Sequence, residues 1–115
     1  MISVTLPLRL VSEANAHAHW RARQRRAKYQ HNVVALLLAR PLRGMAPPCV
    51  VTITRIAPHA LDSDNAVGSA KHVRDAVAKC LGVDDREPCI EWIVKQRKGC
   101  VREYAVCIEI EPREA

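Results

Sequence analysis

The chain has 115 residues, 49% of them hydrophobic, and a formal net charge of +6. That length builds one domain around one core, and without a run of eighteen apolar residues no helix is expected to cross a membrane. Five cysteines with no C-x-x-C pair fit neither a zinc motif nor a disulfide framework, and four aromatic residues are too few for a base-stacking platform. The first ten residues lack the basic and apolar regions of a signal peptide, so a cytoplasmic location is expected. The cysteines read as reduced, mostly buried small hydrophobes.

Charge is unevenly distributed. Residues 1–60 hold nine Lys/Arg against the single acid Glu13, whereas residues 61–115 hold nine against eleven acids. The first half therefore reads as the electrostatic footprint of a polyanion-binding protein, and the second half carries the acids.

In chain order, Ile2, Val4, Leu6, Leu8 and Leu10 alternate with less apolar residues, which predicts a half-buried strand. Pro7 within it indicates a sheet edge or a bulge. Residues 16–40 contain no Gly or Pro and end at Pro41, which predicts one long helix, basic in its first half and apolar in its second. Cys49 to Ala57 is β-branched and reads as a central strand. Asn65 to Leu81 predicts a second helix, with apolar residues at spacings of three and four, Asp64 as its N-cap and Gly82 just past its C-terminus. Cys89–Lys98 and Val101–Glu111 read as a hairpin turning at Lys98-Gly99-Cys100. The order β-α-β-α-β-β predicts a single α+β domain, a mixed sheet with two helices packed largely on one face.

Two clusters carry chemistry. Arg21, Arg23, Arg25, Arg26 and Lys28 place five cations in eight residues, with Arg21, Arg25 and Lys28 nearly aligned on a helix. Such a cluster suits sequence-independent contact with phosphates. Trp20 beside it reads as a packing residue. The second cluster is Leu61-Asp62-Ser63-Asp64-Asn65, with Lys71 and Asp75 following on the helix and Asp84-Asp85 after Gly82. Carboxylates in this arrangement suit a hard, oxygen-seeking cation such as Mg²⁺, and a nearby lysine suits the charge that builds on a phosphoryl oxygen. The plainer alternatives are a helix cap at Asp64, an i,i+4 pair of Lys71 with Asp75, and an ordinary turn at Asp84-Asp85. The five histidines form no H-x-x-x-H or H-E-x-x-H motif; His59 lies closest in sequence to the acids. Asn15 reads as a cap or a cleft residue.

L-D-x-D-N, a helix with K-x-x-x-D, and then G-V-D-D resemble the RusA-like Holliday junction resolvases of phages and prophages, with residues 61–87 carrying most of the likeness. The resemblance implies a homodimeric, Mg²⁺-dependent (or Mn²⁺-dependent) endonuclease that resolves four-way DNA junctions by paired nicks inside the bacterial host cell. It assigns Asp62, Asp64 and Asp85 as metal-binding acids and Lys71 as the catalytic lysine; Lys71 and Arg74 are read, with the basic residues of the first helix, as contacts to DNA. Here the lysine follows D-N about one helical turn later than in the family pattern, and Arg74 stands where the family has an aromatic residue. A non-catalytic, basic DNA-binding protein with structural acids is the alternative.

Overall fold

The computed structural model describes residues 1–12 and 20–113. Its elements are β1 (Ile2–Leu6), α1 (Trp20–Leu38), β2 (Cys49–Ala57), α2 (Ser63–Ser69), α3 (Lys71–Cys80), β3 (Ile90–Lys98) and β4 (Ala105–Pro112). The readings of Asn15, His17 and His19, and of a helix start at residue 16, lie outside the described residues.

The α+β architecture follows the sequence pattern. Four strands form one mixed sheet in the order β1-β4-β2-β3. β2 pairs in parallel with β3 and antiparallel with β4, and β1 pairs antiparallel with β4. Pro7 follows the last ladder residue of β1, on the sheet edge where a missing N–H costs nothing. Alternation nevertheless continues into the core, with Leu6, Leu8 and Leu10 all buried. The core lies between one sheet face and the helices: Val51, Ile53, Val106, Ile108 and Ile110 from the strands meet Val34 and Leu38 of α1 and Val73 and Val77 of α3. Among the described residues no helix is long and apolar enough to cross a membrane.

Two features differ from the sequence reading. The expected hairpin of the last two strands does not form, because β2 lies between β3 and β4. Ala57 is the partner of Lys98 and Ile56 the partner of Ala105, so the chain steps over the end of β2. Gly99 starts that step by donating its N–H to the Ala57 carbonyl at 2.8 Å. A Cβ at Gly99 would stand 2.7 Å from Glu103 Oε1 and 3.1 Å from Ile56 Cγ2. Close approach, not a two-residue turn, is what the glycine supplies.

The second helix is also two helices, making three in all among the described residues. Ala70, at φ −89° and ψ 0°, separates α2 from α3. Ser69 Oγ donates to the Ala66 carbonyl at 2.7 Å, and the Ala70 N–H reaches only to Val67 O at 3.2 Å. A serine bonding back onto the preceding turn, next to a glycine with low helix propensity, is enough to interrupt a short helix.

α3 ends as the sequence indicates. Gly82 adopts φ +77°. Its N–H bonds to Lys79 O, and the Val83 N–H bonds to Ala78 O, each at 3.0 Å. This is a Schellman closure, which reverses the chain beside the helix it ends.

Arg55 joins the layers. Its side chain is 7% exposed. Nε donates to Leu10 O at 3.1 Å, and Nη1 donates to His59 O at 2.9 Å and to Gln96 Oε1 at 3.4 Å. Gln96 in turn accepts from the Leu61 N–H at 2.8 Å and donates to the Leu61 carbonyl at 2.7 Å. Replacing Arg55 by Ala would leave these buried acceptors without their cation, and is expected to cost about 2–4 kcal/mol in urea unfolding at neutral pH.

Candidate metal and phosphate site

The parallel β2–β3 pair fixes where the acids stand. β2 runs out into the segment before α2, and β3 begins at Ile90 beside Cys49, the first residue of β2. The α2–α3 connection therefore carries the chain from one end of the sheet to the other. Asp62 and Asp64 lie at its start and Asp85 at its finish. Leu61 is tied to Gln96 and the Asp85 carbonyl accepts from Trp92 Nε1 at 2.9 Å. Four residues of strand separate those anchors, about 13 Å. The Asp62, Asp64 and Asp85 carboxylates are not among the groups of three ligand atoms that lie within 4.8 Å of one another, so in this chain they do not meet at one cation.

The cap of the helix moves accordingly. Asp62, not Asp64, is the N-cap of α2. Its Oδ1 accepts from the Asn65 N–H at 2.9 Å and its Oδ2 from Asn65 Nδ2 at 3.1 Å. Asp64 is exposed in the first helical turn, where a negative charge complements the helix dipole.

At the other end, the Schellman turn brings Asp84 and Asp85 back against α3. The Asp85 carboxyl is pushed above the usual carboxylate range by burial, then by the charge of Asp75 and by contacts with the Asp84 and Asp75 carboxyls; the Arg74 guanidinium opposes this. Asp84 is held below its usual value by the Arg86 N–H, which donates to Asp84 Oδ1 at 2.9 Å. Asp85 thus stands between two other carboxylates, Asp75 on one side and Asp84 on the other, and a cation would relieve its repulsion with Asp75. The three line a cleft of about 670 Å³ with His31, Lys79 and Glu87.

Arg74 faces inward. Nε stands 3.4 Å from Asp85 Oδ2, an ion pair without hydrogen-bond geometry, and the guanidinium lies 5.0 Å from the Trp92 ring centroid. Its place in the fold is to hold the Asp85 loop to β3. Lys71 is exposed at the first position of α3, one turn before Asp75.

α1 supplies the cations. Arg21, Arg23, Arg25 and Lys28 are exposed and Arg26 is half-buried. Arg21, Gln24, Arg25 and Lys28 line a groove with Trp20, which is 55% exposed rather than packed. Its ring lies 5.4 Å below the Arg21 guanidinium carbon. His31 comes three residues after Lys28, so this flank of the helix leads from the cationic groove to the acidic cleft.

Sequence reasoning missed His31, His72 and Asp75 as a group. Among the described residues they form the one set of three His, Cys, Asp or Glu whose ligand atoms all lie within 4.8 Å of one another. The available signal was the i,i+3 spacing of His72 and Asp75, which puts both on one helix face. His59 is exposed and does not join them. All five cysteines are free, as read; only Cys49 is fully buried, and Cys100 is exposed.

The cap geometry makes a prediction. Asp62→Ala is expected to lower unfolding stability by about 1 kcal/mol, and Asp64→Ala by less, since only the first removes the acceptor of the Asn65 N–H. Urea titration of both variants checks it.

Compared with known proteins, the chain matches no family model and no curated protein sequence.

Proposed function

We infer that the protein is a Mg²⁺-dependent, structure-selective DNA endonuclease acting on four-way junctions, the activity that its resemblance to RusA-like resolvases implies. The observation that carries this reading is the succession along α1 of a cationic groove, lined by Arg21, Arg25 and Lys28, and, one turn after Lys28, His31, which lines the cleft of Asp75, Asp84 and Asp85. A DNA backbone held by Arg21, Arg25 and Lys28 would run toward a place where only a cation makes close approach of phosphate favourable. The donors present fit a hard cation held through two carboxylates: Asp75 and Asp85, which lie against each other, would hold it, with the cleft open to water and a phosphate oxygen. When bound, the ion supplies water activation and charge neutralisation in phosphodiester hydrolysis. Lys71, on the exposed side of α3 one turn from Asp75, neutralises charge on the transferred phosphoryl group.

Paired nicking of a junction requires two copies. Tyr29, Leu36 and Leu37 expose apolar surface on α1 (59%, 79% and 38%), on the flank away from His31, and this supports a homodimer in which two clefts serve one junction.

The alternative, a DNA-binding protein with structural acids, draws support from Asp62, whose two carboxylate oxygens are both engaged by Asn65. The two readings separate in one assay. With Mg²⁺ or Mn²⁺, the wild type is expected to nick a synthetic four-way junction. Asp75→Asn and Asp85→Asn should each lose about 10²-fold or more of the rate, and Lys71→Ala should lose cleavage while still binding. Arg21→Ala, Arg25→Ala and Lys28→Ala should weaken binding and each reduce the salt slope by about 1. Junction binding with no cleavage under either metal would leave the non-catalytic reading standing.

A further inference from the structure

Two imidazoles and a carboxylate converge where α1 packs on α3. His31, His72 and Asp75 are half-buried, and one ligand atom from each lies within 4.8 Å of the other two. Three atoms so spaced stand no more than about 2.8 Å from a common centre, and side-chain rotations of under about 1 Å bring them to the 2.0–2.2 Å of metal–nitrogen and metal–oxygen bonds.

The helices place these ligands for reasons of packing. His72 and Asp75 are neighbours on one face of α3, the i,i+3 spacing by which carboxylate and imidazole line metal sites in helical bundles. His31 comes from α1, whose Val34 and Leu38 share the core with Val73 and Val77 of α3. Ligands on helices fixed by a common core stay close to ligating geometry. His31 and Asp75 also line the acidic cleft, so ion positions not taken by protein open onto solvent.

The donor set decides the metal class. Mg²⁺ selects oxygen ligands and rarely takes imidazole, whereas two imidazoles with one carboxylate suit Zn²⁺, Mn²⁺, Fe²⁺ or Co²⁺. We propose that His31, His72 and Asp75 form a three-ligand site for a first-row transition-metal dication, with its open positions facing the cleft. This goes beyond the nuclease reading and does not depend on it. Asp75 belongs to both ligand groups; the histidines belong to this one alone.

The test uses the full chain, untagged and stripped of metal, titrated with Co²⁺ and followed by electronic absorption and calorimetry. One Co²⁺ per chain is expected, with visible d–d bands and no thiolate charge-transfer band, which separates this site from Cys80 nearby. His31→Ala and His72→Ala should each weaken binding by about tenfold or more. Zn²⁺ should displace the ion, and a large excess of Mg²⁺ should not. Circular dichroism verifies that each variant is folded, and His72→Gln replaces His72→Ala if the latter is not. Absence of saturable binding, unchanged affinity in both histidine variants, or displacement by Mg²⁺ would each overturn the proposal. DNA cleavage is not read in this experiment, so its failure and that of the nuclease reading are distinguishable.

Discussion

A guanidinium buried among neutral acceptors organises this fold. Arg55 sits near the end of the central strand, and its bonds reach the segment after β1, the segment after β2 and, through Gln96, the neighbouring edge strand. Burial pulls the pKa of the group down from its ordinary value, and the hydrogen bonds to the Leu10 and His59 carbonyls offset part of that cost. Nothing apolar of the same size could fix two backbone carbonyls and a side-chain amide at once. The result is a fixed exit from β2, and so a fixed start for the two helices that follow.

From that start the chain must return to the other end of the sheet before β3 can pair in parallel with β2. This requirement divides the acids into two groups. Asp62 and Asp64 serve the beginning of the return, where Asp62 accepts the Asn65 N–H and Asp64 complements the helix dipole. Asp84 and Asp85 serve its end, where the turn at Gly82 brings Asp85 against Asp75 while Arg74 and Trp92 hold the loop down. The first group has its needs met within the protein. In the second, Arg86 satisfies Asp84, but Asp85 still faces Asp75, with Arg74 opposing only part of the repulsion, and this makes the flank of α3 beside Asp85 the chemically unfinished part of the molecule.

Much of this was readable from local pattern. The alternation of Ile2 to Leu10 marks a half-buried edge segment, CVVTITRIA marks a strand flanked on both sides, and Gly82 marks a helix stop, because each depends on residues adjacent in sequence. What failed depends on distant partners. Lys98-Gly99-Cys100 looks like a hairpin turn until β2 is known to lie between the strands it joins. Ala70 looks helical because the interruption comes from a Ser69 hydroxyl bond. Asp75 looks like the partner of Lys71 on a solvated face, because nothing in the local sequence announces that Asp85 and His31 arrive beside it. The basic cluster of α1 was legible as charge, but the direction in which that charge leads required the packing of α1 against α3.

The interruption at Ala70 has a mechanical consequence. α2 is seven residues long and buries only Ala66 and Ser69, whereas α3 is rooted in the core by Val73, Ala76 and Val77. A helix that short has little stability of its own. Because no continuous backbone ladder joins the two, α2 can unwind and re-form as a separate cooperative unit while α3 keeps its place. Amide hydrogens along α2 should therefore trade with solvent deuterium well before those of α3, which leaves one end of the crossover compliant and the other stiff.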